Sequence, residues 1–267
     1  MKTVACIIAR TNSTRLPKKV LLEINGKKVI EHIIERIKSV KGIDDIYIAT
    51  STHPDDRILG DIAIKNGVKI HYGSETSVID RMLEIAEIEE ASNVIRITGD
   101  NIFTDPEILE ITLEHHKEHI AEYSRAEYLS IGTTAEVIGI EALKRCYNSI
   151  DPNKSEYLFY YIFEPDKYKT LVVIPEEDCF QMEYSSLTVD TPADFERTEF
   201  IFDNIDADLI KYKDIMKLND RLIIPNFQID GSLNVKLPDR ESMSYGNFRE
   251  IINKRIDKSK VIKYKLI

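Results

Sequence analysis

A short segment near the start of the chain concentrates positive charge among small polar residues. Residues 10–19 contain four cations, Arg10, Arg15, Lys18 and Lys19. They follow an apolar run at residues 3–9, so the segment leaves the carboxyl end of a predicted strand, where open α/β sheets bind ligands. Backbone N–H groups of such a turn bind anions together with arginine and lysine. The segment indicates a triphosphate-binding loop without a glycine-rich Walker or GxGxxG pattern, and the alternative is a basic surface loop.

Two aspartates follow predicted strands elsewhere in the chain. Asp100 comes after the strand predicted at residues 93–98, and Asp190 comes after the one predicted at residues 186–189. Each aspartate alone is commonly a helix N-cap. Two carboxylates at strand ends, close to a phosphate-binding loop, are well placed to hold Mg²⁺. We therefore favour a metal site at Asp100 and Asp190.

The elements that must position these residues alternate between strands and helices over the first 205 residues. Strands are predicted at residues 3–9, 46–50, 68–72, 93–98, 120–124, 134–138, 169–174 and 186–189. Helices are predicted at residues 28–40, 54–66, 76–91, from Pro106 onward, and at 141–149, 155–164 and 192–205. This alternation predicts an α/β fold, in which helices cover both faces of a mainly parallel sheet. Two connections without a helix after residue 117 predict a small antiparallel portion on the substrate side.

Composition excludes several classes of protein. The 267 residues are 43% hydrophobic and 31% charged, as in an ordinary globular enzyme. A net charge of −10 disfavours nucleic acid as a partner. The apolar runs are too short for a transmembrane helix, and the first residues lack a secretory pattern, so no membrane partner is expected. Three widely spaced cysteines predict reduced thiols and a cytoplasmic location.

Charge divides the chain into a domain at residues 1–205 and a C-terminal extension at residues 206–267. The first part carries 23 basic and 37 acidic residues, a net charge of −14, whereas the extension carries 13 and 9, a net charge of +4. A last helix is predicted near residues 247–256. The extension could dock on the acidic body, a neighbouring subunit or an anionic ligand, or be a solvated tail. As a lid it would offer Arg240 to an acidic ligand.

Residues 8–19, continued by residues 21–27, resemble the opening of the cytidylyltransferases that make CMP-activated sugar acids. These include the CMP-KDO and CMP-sialic acid synthetases, and the similarity is greatest to the branch named after spore-coat polysaccharide biosynthesis. Further matches in the same order are Gly73-Ser74-Glu75, Val78-Ile79-Asp80-Arg81, Arg96-Ile97-Thr98-Gly99-Asp100, Gly132-Thr133-Thr134-Ala135-Glu136-Val137 and Val189-Asp190-Thr191-Pro192-Ala193-Asp194. The resemblance implies a nucleotide-diphospho-sugar transferase-like fold for residues 1–205, CTP as the donor, Mg²⁺ as the cofactor, and a homodimer.

The same resemblance implies roles for individual positions. Catalytic roles are expected for Arg10, Arg15, Lys19 and Asp100, and metal binding for Asp100 and Asp190. Nucleotide binding is expected for Ala9, Arg10, Ser13, Arg15, Lys19, Ser74, Arg81 and Thr98. Lys18 stands where the family commonly has glycine.

Acceptor-binding candidates are Arg125, Glu136, Glu156 and Tyr157, of which Tyr157 replaces a histidine of the family branch. The implied reaction transfers CMP from CTP to an acidic sugar, or to a phosphate- or phosphonate-bearing acceptor. Pyrophosphate is released, and the product serves cell-surface glycan biosynthesis.

Two other functions stay open. A glycosyltransferase of related fold would use an Asp-x-Asp metal motif, and its nearest candidate is Asp206-Ala207-Asp208, after the nucleotide half. A catalytically idle nucleotide-binding assembly subunit is the second, although the four residues Arg10, Lys19, Asp100 and Asp190 argue against it. His115, His116 and His119 are expected on a solvated helix face. The aromatic residues at 157–161 are expected in the core or at a subunit contact.

Overall fold

The apolar strand patterns form the centre of the molecule. The computed structural model describes residues 1–238 and 241–266, and its strands are β1 (Thr3–Ile8), β2 (Glu23–Ile24), β3 (Lys27–Lys28), β4 (Asp45–Ser51), β5 (Lys69–Gly73), β6 (Asn93–Thr98), β7 (Tyr123–Ala126), β8 (Glu136–Gly139), β9 (Thr170–Pro175), β10 (Asn234–Lys236), β11 (Ser242–Ser244) and β12 (Lys260–Tyr264). Within these described ranges, eight strands form one sheet in the order β12-β9-β7-β8-β6-β1-β4-β5.

The helices begin where the sequence provides caps. They are α1 (Val29–Lys38), α2 (Ile58–Lys65), α3 (Val78–Ile88), α4 (Pro106–Glu118), α5 (Ile140–Tyr147), α6 (Leu158–Ile162), α7 (Pro192–Asn204), α8 (Tyr212–Asn219) and α9 (Tyr245–Lys258). Asp105 caps α4 by accepting hydrogen bonds from the N–H groups of Glu107 and Ile108, and Pro106 takes the first helical position. Among the described residues, no helix has the length and apolarity needed to cross a membrane.

One strand runs against all the others in the main sheet. Strand β8 is antiparallel to β6 and to β7, whereas the other neighbouring pairs are parallel. The predicted α/β class, with a mainly parallel sheet and a small antiparallel portion, is confirmed. The register places Glu136 of β8 opposite Arg96 of β6 and Arg125 of β7. Three charged residues therefore lie side by side in the sheet.

Apolar side chains cover both faces of the sheet, which explains why β1 is apolar throughout. Ala5 and Ile7 pack into a core with α1, α2, α4, α7 and α8. Val4 and Cys6 pack into a second core with α3, α5, α6 and α9. Successive side chains of a strand point to opposite faces, so a strand buried on both sides carries no polar alternation.

Three predicted elements differ from the structure. Residues 186–189 do not form a strand, because their backbone bonds singly to separate segments: Ser186 forms an isolated bridge with Ile131, and Val189 N–H donates to the carbonyl of Asp100. The helix predicted at residues 155–164 is a 3₁₀ turn at Pro152–Tyr157 followed by the short α6. The strand predicted at residues 120–124 starts later, at Tyr123, after a left-handed turn at Ile120.

The extension folds back onto its own chain. Strand β12 pairs with β9 in parallel and adds the edge of the main sheet. Its basic residues meet acidic residues of the first 205: Arg255 lies 3.1 Å from Glu164, and Lys258 lies 2.7 Å from Asp166. Several arrangements were left open for the basic extension. In the structure, the extension docks on the acidic body of its own chain.

Glu31, in the first turn of α1, is a buried carboxylate whose contribution to the stability of the fold can be measured. Its carboxylate accepts hydrogen bonds from Lys28 N–H at 2.9 Å, Lys65 Nζ at 2.9 Å and the Asn66 amide at 3.3 Å. Burial alone would raise the pKa of Glu31, but these contacts outweigh it and lower the pKa to about 2. We expect Glu31→Gln to reduce the free energy of unfolding by about 1–2 kcal/mol at pH 7.

Urea unfolding as a function of pH measures this contribution. The unfolded pKa of a glutamate is about 4.3, so the stabilisation is complete above that pH and is lost as the pH falls toward the folded value. The difference between wild type and Glu31→Gln should therefore shrink from pH 5 to pH 3. The control is Glu35→Gln, a half-exposed surface carboxylate expected to change stability by less than about 0.5 kcal/mol. A pH-independent difference would contradict the assignment.

Candidate active site

A buried aspartate anchors the basic loop after β1. Asp56, in a 3₁₀ turn before α2, accepts hydrogen bonds from the N–H and the hydroxyl of Thr11, each at 2.7 Å, and from the Ser51 hydroxyl at 2.5 Å. Burial would raise the pKa of Asp56, but these hydrogen bonds lower it. The loop is thereby tied to the end of β4, and its cations Arg10 and Arg15 remain exposed.

Close backbone contacts bring three loops together at the carboxyl edge of the sheet. Gly99 N–H donates to the carbonyl of Ile8 at 2.8 Å. A Cβ atom on Gly99 would lie 3.1 Å from both Ile8 O and Ala9 Cβ, so a larger residue would push the loops apart. Val189 N–H donates to the carbonyl of Asp100 at 2.9 Å, which brings the segment before α7 to the same point.

At this junction, one lysine lies between two carboxylates. Lys19 Nζ lies 2.8 Å from Asp100 and 2.6 Å from Asp190, and Arg15 lies 3.0 Å from Asp190. Burial lowers the pKa of Lys19, but both carboxylates outweigh it and raise the pKa. Burial raises the pKa of Asp100, but Lys19 and the Thr98 hydroxyl outweigh it and lower the pKa. Lys19 and Asp100 are therefore both charged at neutral pH, and two oxygen donors of the kind Mg²⁺ prefers lie together.

These loops surround a cleft of about 620 Å³. Seven of the eight predicted nucleotide-binding residues line it, together with both predicted metal-binding aspartates: Ala9, Arg10, Ser13, Arg15, Lys19, Arg81, Thr98, Asp100 and Asp190. Ser74 does not line the cleft. Its carbonyl accepts a hydrogen bond from Arg81 at 2.7 Å, and its hydroxyl accepts one from Ser77 N–H, so it supports Arg81 from behind.

Arg81 is a buried cation on the wall of this cleft. Its side chain is fully buried, and its Nε and Nη2 atoms have no hydrogen-bond partner. Burial, followed by the neighbouring Arg10, lowers the pKa of Arg81 to about 10. The group stays protonated at neutral pH, and its free donors suit an anion in the cleft.

Lys18 does not line the cleft. It is exposed and has φ 55° and ψ 29°, in the left-handed region that favours glycine. This backbone geometry explains why the family commonly has glycine at the position.

A smaller cavity of about 160 Å³ adjoins the cleft, and Arg96 and Thr98 line both. Arg125 and Glu136, two of the four acceptor candidates, line this cavity. Glu136 accepts hydrogen bonds from Arg96 at 2.6 Å and Tyr123 at 2.7 Å, and lies 3.7 Å from Arg125. Burial raises the pKa of Glu136, but the two arginines outweigh it and lower the pKa.

The other two acceptor candidates, Glu156 and Tyr157, line the larger cleft instead, beside Lys236 of the extension. Sequence reasoning did not single out Lys236, Arg96 or Arg249, although all three line one or both of these spaces. A signal for Arg96 existed, because it is the one cation in the otherwise apolar and neutral strand β6.

Several remaining candidates lie elsewhere. Asp206 and Asp208 line a separate cavity that shares no residue with the cleft, which removes the Asp-x-Asp argument for a glycosyltransferase. In the aromatic segment at 157–163, Phe159, Tyr161 and Phe163 pack in the core of their own chain, whereas Tyr157 lines the cleft. Arg240 lies outside the described residues.

The three histidines of α4 do not share one solvated face. His116 is buried and bonded to Ser124 and Asn93, and burial lowers its pKa to about 4. His115 and His119 remain on the surface side, where Lys260 Nζ lies 3.0 Å from His119 Nδ1.

Removing the central cation tests the charge balance at the junction of the loops. We expect Lys19→Met to reduce the free energy of unfolding at pH 7 by about 2–4 kcal/mol, because it leaves Asp100 and Asp190 without a cation between them. Burial then raises the pKa of Asp100, so protonation should recover stability as the pH falls from 7 to 5.

The matched control is Arg15→Met, which removes an arginine whose side chain is 65% exposed. Its loss should cost less than about 0.5 kcal/mol, because exposed ion pairs contribute little. Thermal and urea unfolding of both variants gives the comparison. Equal losses in the two variants, or a Lys19→Met loss that does not vary with pH, would count against the interpretation.

Comparison with known proteins agrees with this site. A family model described as cytidylyltransferase matches residues 4–217. The spore coat polysaccharide biosynthesis protein SpsF of Bacillus subtilis is 29% identical over 202 residues, covering 73% of this chain and 84% of SpsF. An 8-amino-3,8-dideoxy-manno-octulosonate cytidylyltransferase of Shewanella pealeana is 33% identical over 136 residues, covering 47% of this chain and 52% of that enzyme.

A solved structure extends the agreement to the fold. The cytidylyltransferase from Leptospira borgpetersenii aligns with a TM-score of 0.77 and 25% sequence identity, over 86% of this chain and 99% of that one. The family match includes the basic loop and both aspartates of the cleft. The chain therefore belongs to the cytidylyltransferase family and is a CTP-dependent nucleotidyltransferase.

Proposed function

We propose that the enzyme transfers CMP from CTP to an acidic acceptor and releases pyrophosphate, in the synthesis of a cell-surface glycan. The observation that carries this proposal is that two cationic spaces adjoin each other. The cleft contains Arg10, Arg15 and Lys19, and the cavity contains Arg125, with Arg96 in the wall that they share. One space suits a triphosphate and the other suits an acidic molecule, so the two substrates would meet at the shared wall.

The chemistry needs positioning and charge stabilisation more than covalent help from the protein. An acceptor oxygen forms a bond to the α-phosphorus of CTP while the bond to pyrophosphate breaks. Negative charge moves onto the leaving group in this step, and preorganised cations stabilise it. Arg10, Arg15 and Lys19 are the residues proposed to bind the phosphates and to stabilise that charge.

Asp100 and Asp190 are proposed to hold Mg²⁺. Both carboxylates reach the same nitrogen of Lys19, so a cation position between them already exists in the fold. When bound, the ion would neutralise phosphate charge and orient the leaving group. Lys19 and Arg15 together balance the two aspartates, and both cations have the phosphates as alternative partners.

A sugar acid is the acceptor proposed first. The Shewanella relative is named for an octulosonate, a carboxylate sugar, and SpsF is named for spore coat polysaccharide. A phosphate- or phosphonate-bearing acceptor is the alternative. A cytoplasmic location is proposed with it, because Cys6, Cys146 and Cys179 are free thiols.

Nucleotide and metal dependence test the proposed reaction. We expect pyrophosphate release to be fastest with CTP among the four ribonucleotides, and to stop in excess EDTA. Asp100→Asn should lower kcat about 100-fold or more and weaken CTP binding less, because the ion stabilises charge that develops during reaction. A sugar-acid panel serves as acceptor, with isothermal titration to follow CTP.

The control for this experiment is Asp206→Asn, which removes an aspartate outside the cleft and should leave kcat unchanged. Faster turnover with ATP, GTP or UTP would reject CTP as the donor. Full activity in excess EDTA would reject the metal.

The enzyme is also proposed to be a homodimer, as the resemblance to CMP-sugar-acid synthetases implies. Light scattering at micromolar concentration should give twice the mass of one chain. Leu158, Ile162 and Phe163 are buried in their own chain, so only the partly exposed residues of this segment can take part in a contact between subunits. A monomer under these conditions would reject the proposal.

A further inference from the structure

A buried arginine from the extension forms one wall of the small cavity beside the nucleotide cleft. Arg249 of α9 is 7% exposed, and its Nη1 atom lies 2.7 Å from Glu127. Tyr245, one turn earlier on the helix, lines the same cavity. Both residues lie beyond residue 217, where the family match ends. This wall is therefore an addition of this chain to the matched part of the fold.

The cavity contains an excess of positive charge. Three arginines line it, Arg96, Arg125 and Arg249, against two carboxylates, Glu127 and Glu136, and none of the other residues lining it is charged. The balance is one positive charge in a largely buried space. An unbalanced buried charge is costly, so the cavity favours an anion over a neutral ligand.

Unused hydrogen-bond donors accompany this excess charge. The Nε atoms of Arg96 and Arg249 are buried and have no hydrogen-bond partner. A buried N–H group without a partner costs about 1–3 kcal/mol, and a ligand oxygen at the right place removes that cost. Asn101 and Thr134 line the same cavity and offer an amide and a hydroxyl to a polyhydroxylated ligand.

We propose that Arg249 binds the carboxylate of a sugar-acid acceptor, which makes the C-terminal extension part of the acceptor site. This inference rests on the proposed function and adds the residue that selects acidic acceptors over neutral ones. Except for Lys236, the residues that line the nucleotide cleft come from the matched family segment, whereas acceptor choice depends on a helix outside it. Replacement of the extension would then change the acceptor without changing the donor.

The helix that carries Arg249 is firmly attached, so the wall is preformed. Phe248 packs against Phe159, and Arg255 donates to the carbonyl of Tyr160 at 2.9 Å. Ile252 and Ile256 are buried in the second core. Binding to a rigid wall of this kind costs little conformational entropy. A residue in such a wall is therefore well suited to determine specificity.

Arg249 also has a structural role as the partner of Glu127, and the test must separate the two roles. Arg249→Lys keeps a positive charge near Glu127 but lacks the Nε–H donor, which has no partner in the structure while the two Nη atoms donate to Glu127 and Asn253. The double variant Arg249→Met with Glu127→Gln removes both charges together, so no buried carboxylate is left unpaired. Arg255→Lys is the matched control on the same helix, since Arg255 faces Glu164 outside the cavity.

Isothermal titration in the presence of CTP and excess EDTA, which is expected to stop turnover, measures binding of 3-deoxy-manno-octulosonate, 8-amino-3,8-dideoxy-manno-octulosonate, N-acetylneuraminate and 2-aminoethylphosphonate. Methyl esters of the sugar acids are titrated in parallel. We expect wild type to bind at least one acid and to bind its ester about 10-fold or more weakly. Arg249→Lys and the double variant should weaken binding of the acid about 10- to 100-fold, the range of a charge-assisted hydrogen bond. Their discrimination against the ester should fall, while CTP affinity and the Arg255→Lys control stay within 2-fold of wild type.

Three results would overturn the inference. They are acid binding unchanged in both Arg249 variants, equal binding of acid and ester by wild type, and binding of the phosphonate without any of the sugar acids. Absence of CTP binding, or of pyrophosphate release with CTP, would instead reject the proposed function. Thermal unfolding of each variant shows whether a loss of binding comes from a loss of folding. Acid binding by the double variant, once it is shown to be folded, then decides whether the inference holds.

Discussion

The carboxylate of Glu136 holds together the two parallel parts of the sheet. It lies on β8, the one antiparallel strand of the main sheet within the described chain, between Arg96 of β6 and Arg125 of β7. In this buried position an unpaired charge would cost several kcal/mol, so the three side chains require one another. Their pairing fixes the floor of the small cavity and the wall that it shares with the nucleotide cleft. The acceptor side is therefore built around a structural ion pair.

The nucleotide side follows a different rule, because its charges are arranged by backbone contacts. Gly99 allows the end of β6 to approach the basic loop, and Val189 binds the carbonyl of Asp100. The cations and carboxylates of the cleft then balance one another through Lys19 before any ligand binds. A site preassembled in this way needs little reorganisation when phosphates bind. Such preorganisation is the main source of electrostatic catalysis.

Local patterns were sufficient to predict most of the residues that line the cleft. The basic loop, Asp100 and the cap of α4 each follow directly from the order of residues around one strand end or one helix start. The acceptor side depends on contacts between distant segments: Arg249 and Glu127 are 122 residues apart, and no local pattern relates them. Net charge left docking on an acidic partner and a solvated tail both open for the extension, and it could not specify where docking would occur. The segment at residues 186–189 was predicted as a strand from its own residues, whereas in the structure its backbone bonds singly to distant segments, at Ile131 and Asp100.

The parallel pairing of β12 with β9 has a consequence for how the enzyme is made. Ser259 and Thr170, which bond at the start of this pair, are 89 residues apart, so β9 leaves the ribosome long before its partner. During that interval β9 is an open edge of apolar sequence, the kind of surface that pairs with other chains. The nascent enzyme therefore has its nucleotide cleft encoded early but is exposed to aggregation until the extension arrives. The C-terminal segment thus completes the sheet by covering β9 as well as contributing side chains to the small cavity.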